Sequence, residues 1–315
     1  MALIDYITEI QFDFGALNAV AAECARVGIS RPFICTDRGV VAAGLLQRLT
    51  TALDDLRVAV YDGTPANPTE AAVREAVEGD PRHGADGLIA LGGGSPINLA
   101  KAVAIAATHA GPLAHCATIE GGSPRIGSQV APLIAIPTTA GAGSEVARGA
   151  IIIVDDGRKL GLHSWHLVPK GAIRDPELTL GLPAGLTAAT GMDAMAHCIE
   201  TYLSRAVNPP ADAIAFDGPR RARGFIERAV RDGSDREARW QMMSASDAGR
   251  DGLPEGPGSR AFAVTFARRT GAASASRHAE RAAAAGDREV QRRRGAGERA
   301  RHCRHVRRRW RRWAH

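Results

Sequence analysis

The chain has 315 residues, of which 45% are hydrophobic and 23% charged, a balance typical of globular rather than disordered proteins. It contains no uninterrupted apolar run of about 18 residues and no signal-peptide pattern at its amino terminus, so we expect no membrane association. Its five cysteines are scattered without a C-x-x-C pair, which argues against a disulfide scaffold and favours a reducing cytoplasm.

The net charge of +6 is unevenly distributed along the chain. Residues 247–315 contain 18 arginines against 7 acidic residues, a balance of +11, whereas residues 1–246 carry −5. Apolar composition changes at the same place, because Leu253 is the only leucine after Ser246 and no isoleucine, methionine or tyrosine follows. The sequence therefore consists of two parts of different character that meet near residue 246.

Within the first part, short apolar runs alternate with helical patterns, which is typical of a parallel α/β sheet. We predict strands at 31–36, 57–61, 87–91 and 131–136, and helices at 40–53, 69–78 and 96–107. From Leu182 the pattern is helical, with an amphipathic stretch over 186–204. The expected organisation is an α/β domain over residues 1–178 followed by the start of a helical domain over residues 179–246.

Asp37 directly follows the first of these predicted strands. A carboxylate at this position accepts hydrogen bonds from a ribose 2′-hydroxyl and disfavours a 2′-phosphate, which would favour NAD over NADP. The alternative is that Asp37 only caps the next helix.

A glycine-rich turn, Gly92-Gly93-Gly94-Ser95, joins the third predicted strand to a helix. Glycines let the backbone approach a phosphate closely, and the new helix offers free N–H groups and a positive dipole end. The turn suits a dinucleotide pyrophosphate, although its spacing is not G-x-G-x-x-G. A tight strand-to-helix turn without a ligand is the alternative.

Asp193 and His197 stand four residues apart in the predicted helical region. Helical spacing places both on one face, where a carboxylate and an imidazole suit Fe²⁺ or Zn²⁺. The alternative is an ordinary surface pair, because two ligands rarely suffice for either metal. His163 and His166 have no accompanying ligand pattern, and we assign them to a loop or strand.

Together these motifs resemble the iron-containing (group III) alcohol dehydrogenases. The resemblance also includes the segments Asn67-Pro-Thr-Glu70, Pro137-Thr-Thr-Ala-Gly-Ala-Gly-Ser-Glu-Val146 and Asp175-Pro-Glu177, and it runs in order from about residue 10 to 246. It implies an amino-terminal α/β dinucleotide-binding domain, an all-α carboxyl-terminal domain and an active site in the cleft between them. The implied reaction is metal-assisted hydride transfer between NAD(P) and a small alcohol, aldehyde or hydroxy acid, in a homodimer.

Carried over residue by residue, the resemblance assigns two groups of site residues. Gly93, Gly94 and Ser95 would hold the pyrophosphate and Asp37 the adenosine ribose, while Asn67, Thr138, Thr139 and Lys159 would line the cofactor site. Asp193 and His197 would be two ligands of an Fe²⁺ or Zn²⁺ ion. The implied cofactor is NAD, with NADP as the alternative.

The family takes two further metal ligands from histidines beyond the position of Ser246, and this sequence lacks that motif. Back-translation with a shift of one nucleotide permits F-Q-K-G-L-G-A-V-H-S-L-S-H-S-L-G-G-L over residues 253–270 and P-R-L-H-H-G-T-L-N-A-L-L-L-P-A-I-V-R-F-N over residues 272–291. Both strings resemble the missing segments, with histidine ligands hidden beneath Ala261 and Ser276. We therefore expect a frameshift near Asp247, a non-native disordered tail and impaired activity.

Two alternatives remain open at this stage. The arginine-rich segments 292–294 and 307–313 combine cations with aromatic residues, as single-strand nucleic-acid binders do. The frameshift accounts for them more simply, so no nucleic-acid partner is expected. The second alternative is that the α/β domain is a cofactor-binding remnant without catalysis.

Overall fold

The computed structural model describes residues 8–54, 56–79, 84–203 and 209–246. The strands are β1 (Glu9–Phe12), β2 (Pro32–Cys35), β3 (Ala59–Tyr61), β4 (Gly87–Gly92), β5 (Leu133–Pro137), β6 (Gly149–Ile153), β7 (Lys159–His163) and β8 (Gly171–Arg174). The helices are α1 (Val20–Val27), α2 (Arg38–Ala42), α3 (Leu45–Ala52), α4 (Glu70–Glu78), α5 (Gly94–Ala106), α6 (Ala184–Leu203), α7 (Pro209–Arg231) and α8 (Arg236–Ser246). The first part of the chain thus forms a layered α/β structure, and the second part is helical.

Six strands form a parallel sheet in the order β1-β8-β5-β4-β2-β3, and β6 pairs with β7 in a separate antiparallel hairpin. Both faces of the sheet are covered, because alternate residues of each central strand join different hydrophobic cores. In β4, Leu88 and Ala90 pack in the core beneath α4 and α5, while Ile89 and Leu91 pack in the core beneath α1 and α3. Burial on both sides explains why these strands read as continuous apolar runs.

Each predicted strand and helix corresponds to an observed one, except that one predicted helix is divided in two. Four observed strands were not predicted. The single helix predicted over 40–53 is wrong: α2 and α3 are separated at Gly44, whose φ of 76° interrupts the helix. The strands β1 and β8 and the β6–β7 hairpin were not predicted, because all four strands are only four or five residues long, and β1 pairs with a segment distant in sequence. The boundary predicted near residue 178 falls between the end of β8 and the start of α6.

The three carboxyl-terminal helices pack on one another around a small core that includes Met195, Ile199 and Met242. They also contact the sheet, since Phe12 of β1 stacks on Trp240 of α8 with ring centroids 4.9 Å apart. Within the described part of the chain, no helix is long and apolar enough to cross a membrane. The tail predicted from Asp247 onward lies outside the described residues.

Candidate functional site

The sheet has a topological switch point between β2 and β4. The chain leaves β2 to form β3 on one side, then returns to place β4 on the other side of β2. The connections after β2 and β4 therefore diverge and leave a crevice outside the carboxyl ends of these strands. In open α/β sheets, ligands bind at this position. The crevice is flanked by Asp37, which follows β2, and by the glycine turn at the end of β4.

The glycine turn leads directly into the amino terminus of α5. Gly92 has a φ of 149°, and Gly93 precedes the first turn of α5 without a side-chain hydrogen bond to cap it. The first N–H groups of any helix have no intrahelical acceptor, and in α5 no capping side chain accepts from them. No acidic residue lies in the first turn to neutralise the positive end of the helix dipole. This geometry suits an anion such as a pyrophosphate.

The segment after β5 lies against the glycine turn. Thr138 donates its backbone N–H to the Gly92 carbonyl at 3.0 Å and is 4% exposed. A Cβ added to Gly93 would lie 3.4 Å from Thr139, and one added to Gly94 would lie 3.0 Å from the Ala142 Cβ. The structure therefore brings Thr138 and Thr139 to the glycine turn and leaves little room for side chains at Gly93 and Gly94.

Asp37 caps helix α2. One of its carboxylate oxygens accepts the Val40 N–H at 2.9 Å, which is the alternative role that the sequence left open. Asp37 also forms an isolated β-bridge with Gly63, so the residue is fixed at the rim of the crevice. The cap uses one carboxylate oxygen of Asp37. The second oxygen can therefore still accept a hydrogen bond from a ribose hydroxyl.

Ser95, Asn67 and Lys159 form a connected line beside the turn. The Ser95 hydroxyl donates to the Ala66 carbonyl at 2.6 Å, so its side chain orders the neighbouring loop. The Lys159 ammonium, at the start of β7, donates to the Asn67 side-chain carbonyl at 3.1 Å. The predicted cofactor residues from three separate segments thus occupy one continuous rim.

Three side-chain oxygens around the crevice are buried and lack a hydrogen-bond partner within the described part of the chain: Thr64 Oγ1, Asn98 Oδ1 and Ser144 Oγ. The Thr64 backbone N–H lies 3.4 Å from the Thr36 carbonyl at the end of β2, and Asn98 lies near the start of α5. Buried polar atoms are nearly always satisfied in native structures. The oxygens of Thr64 and Ser144, which lie near the end of β2 and near Gly94, are compatible with a polar ligand such as a dinucleotide.

Asp193 and His197 lie on one face of α6, as their spacing predicts. The His197 Nε2 is 3.8 Å from the Asp193 Oδ1, and the side chains are 19% and 52% exposed. Nitrogen and oxygen donors of this kind suit Fe²⁺ or Zn²⁺. In the part of the chain that the structure describes, no group of three potential ligands occurs. The donor chemistry of this pair is compatible with a metal site, and the described residues bring together two candidate ligands.

The buried thiols near the sheet are not suited to nucleophilic chemistry. Burial raises the pKa of the Cys35 thiol, which lies at the end of β2, well above its ordinary value. Burial also raises the pKa of Cys24 to about 11. Both thiols are therefore protonated near neutral pH and act as packing residues rather than as nucleophiles.

Sequence reasoning missed three buried charged residues next to the site. Lys101 of α5 is fully buried and donates to backbone carbonyls of the segment after Thr139. Glu145 of the same segment is 2% exposed, and its Oε1 lies 3.4 Å from the Nε of buried Arg174. A single lysine inside an apolar helix was the available signal for Lys101, whereas nothing in the local sequence identified the partners of Arg174.

Comparison with known proteins gives a consistent result. The family model described as iron-containing alcohol dehydrogenase matches residues 8–176, and the carboxyl-terminal model of the Fe-containing alcohol dehydrogenase family matches residues 187–253. The chain is 64% identical over 258 residues to 4-hydroxybutyrate dehydrogenase of Cupriavidus necator, covering 82% of this chain and 68% of that relative. It spans 56% and 64% of the length of two further curated relatives.

Solved structures show the same similarity. A crystal structure of 1,3-propanediol oxidoreductase superposes with a TM-score of 0.77 at 31% identity, covering 85% of this chain and 76% of that one. Sulfoacetaldehyde reductase from Bifidobacterium kashiwanohense, solved in complex with NAD⁺, gives a TM-score of 0.75 at 27% identity, with the same two coverages.

Proposed function

The chain belongs to the iron-containing alcohol dehydrogenase family, and we propose that it binds NAD for metal-assisted hydride transfer between an alcohol and the corresponding carbonyl compound. The observation that carries the proposal is the convergence at the switch point of the uncapped start of α5, the glycine turn and the Thr138–Thr139 segment. These three features create a narrow crevice with free N–H donors, which is the environment that a pyrophosphate requires. Gly93, Gly94 and Ser95 would hold the pyrophosphate.

The remaining rim residues would orient the two ends of the cofactor. Asp37 would accept hydrogen bonds from the adenosine ribose and disfavour NADP by charge repulsion with a 2′-phosphate. Asn67, held by Lys159, and the two threonines would line the crevice. A fold that fixes the nicotinamide in this way raises the rate by positioning the reacting carbon atoms.

Asp193 and His197 would hold the metal together with ligands from outside the described residues. A divalent iron or zinc ion supplies Lewis-acid chemistry, because it lowers the pKa of an alcohol hydroxyl and polarises a carbonyl group. The position of His197, four-fifths buried on α6, limits competition by water at the imidazole. Two ligands alone bind such a metal weakly.

For the substrate we propose a short hydroxy acid, with 4-hydroxybutyrate as the first candidate. The support is the 64% identity to a 4-hydroxybutyrate dehydrogenase over 258 residues. We also propose that the protein is cytoplasmic, since the four described cysteines are buried thiols that form no disulfide. We propose that it assembles as a homodimer.

We further propose that residues from about Asp247 onward are translated in a shifted frame. The support is the change of composition near residue 246 and the family-like strings that back-translation permits over residues 253–291. The coding DNA through codons 240–320 tests this directly, and codons 253–291 that are incompatible with those strings would refute it. We do not propose that residues 247–315 bind nucleic acid. DNA binding by this protein that weakens as the salt concentration rises would contradict this view.

The proposed function is tested with two proteins, the 315-residue chain and a version in which the reading frame is restored from codon 247. NADH titration by fluorescence tests the cofactor site in both, and Fe²⁺ titration tests the metal site. We expect NADH binding in both proteins, but tighter metal binding and oxidation of 4-hydroxybutyrate by the restored protein. NADH binding without turnover in both would indicate a cofactor-binding module, and the absence of NADH binding in both would refute the proposal.

A further inference from the structure

Lys101 carries a buried positive charge in the middle of α5. It is one of three lysines in the chain, with a side chain that is 0% exposed. Its ammonium group donates hydrogen bonds to the backbone carbonyls of Ser144 at 2.8 Å, Gly149 at 3.1 Å, and Ala147. Burial of an ammonium group is strongly unfavourable unless hydrogen bonds replace its hydration. The three carbonyls therefore provide a specific site for this charge.

Two of the three acceptors, Ser144 and Ala147, belong to an irregular part of the chain, and the third, Gly149, is the first residue of β6. Residues 138–148, between β5 and β6, have no helical or strand structure, although most of them are buried. Buried backbone carbonyls outside regular structure need other donors. The Lys101 ammonium group is such a donor, and it fixes the path of this segment over α5.

The same face of α5 meets this segment at a second point. Lys101 lies seven residues after Gly94, which corresponds to about two helical turns, or ~10 Å, along one side of the helix. A Cβ on Gly94 would lie 3.0 Å from the Ala142 Cβ and 3.6 Å from the Ser144 Oγ. Thus Gly94 sets how closely the segment approaches the start of α5, while Lys101 holds the segment at that distance.

We propose that Lys101 is a positioning residue for the cofactor site, and this inference rests on the proposed function. By holding residues 144–149, it keeps Thr138 and Thr139 against the glycine turn and so sets the width of the crevice. Because Lys101 itself is fully buried, it would act through this segment rather than by touching the cofactor. Its removal should weaken cofactor binding more than its effect on stability alone explains.

Arg239 provides a matched control. It is a buried cation, 3% exposed, that donates to the Gly233 carbonyl, the Leu182 carbonyl and the Thr187 hydroxyl. These partners tie α8 to the start of α6 and are not part of the crevice. Replacing either cation with methionine removes a similar set of buried hydrogen bonds, but only one of them holds the crevice.

The experiment compares wild-type protein with the variants Lys101→Met, Lys101→Gln and Arg239→Met in the full chain. NADH affinity is measured by fluorescence titration, and thermal unfolding is recorded in parallel. For Lys101→Met we expect NADH affinity to fall by about tenfold or more, the equivalent of one lost hydrogen bond to a charged group. The Lys101→Gln variant, which retains an amide donor, should recover part of this loss. Arg239→Met should change NADH affinity less than about twofold at a comparable loss of thermal stability.

The outcomes separate the possible failures. If the wild-type chain does not bind NADH, the proposed function fails before the role of Lys101 is reached. If the wild type binds NADH, and folded Lys101→Met binds it equally well, the positioning role is refuted. Equal weakening by Arg239→Met, or failure of both Lys101 variants to fold, would assign Lys101 to general stability and also refute the role.

Discussion

The cofactor crevice can be tested most sharply at Gly94, because substitution there separates binding from folding. Gly94 is the first residue of α5 and its φ lies outside the left-handed region, so alanine causes no backbone strain. Alanine also has a higher helix propensity than glycine, by roughly 1 kcal/mol. The added methyl group, however, would lie 3.0 Å from the Ala142 Cβ.

The expected magnitudes follow from these two opposing effects. Overpacking of this kind costs roughly 1–3 kcal/mol, so after the gain in propensity we expect a net destabilisation of about 0–2 kcal/mol. The methyl group must push the start of α5 away from the segment that carries Thr138 and Thr139. If this separation removes one charge-assisted hydrogen bond to the pyrophosphate, NADH affinity falls by about 10- to 100-fold.

The assay is NADH fluorescence titration of Gly94→Ala, with urea denaturation to measure the free energy of unfolding. Gly224→Ala is the matched control, since a Cβ at this position of α7 would meet nothing within 4 Å. It should raise stability by roughly 0.5–1 kcal/mol and leave NADH affinity unchanged. NADH binding by Gly94→Ala within about twofold of wild type would refute the assignment of the glycine turn to the pyrophosphate.

Three further predictions concern the other charged residues. Asp37→Asn keeps a good helix cap, so stability should be unchanged while NADPH affinity rises relative to NADH; an unchanged ratio in paired titrations would remove Asp37 from cofactor selection. The side-chain hydrogen bond from Arg228 holds the pKa of Asp235 below its usual range, so its stabilisation is present above about pH 4 and lost as pH falls further. Thermal unfolding below about pH 4 should therefore depend less on pH in Asp235→Asn, and equal slopes would contradict this. His197→Ala and Asp193→Asn should each weaken Fe²⁺ binding without changing NADH affinity; Fe²⁺ titration curves identical to wild type would exclude a metal role for the pair.

Much of the site was predictable because its signals are local. The strand, the glycine turn and the start of α5 are contiguous in sequence, and their chemistry follows from glycine geometry and from free N–H groups at a helix terminus. The spacing of Asp193 and His197 likewise predicted a shared face on α6, and the 3.8 Å separation agrees with it. The interruption at Gly44 was missed, because a helical pattern of apolar residues continues across it and does not show its positive φ.

The α/β class, the glycine turn before a helix and the change of composition near residue 246 could all be inferred from the sequence, since each depends on residue types within a short stretch. The strand order, the pairing of β1 with β8, and the contact of Lys101 with carbonyls 43 to 48 residues away became visible in the folded structure alone. Those features depend on which distant segments pack together. The local sequence does not predict these contacts, because burial and hydrogen-bond partners depend on the packing of the whole chain.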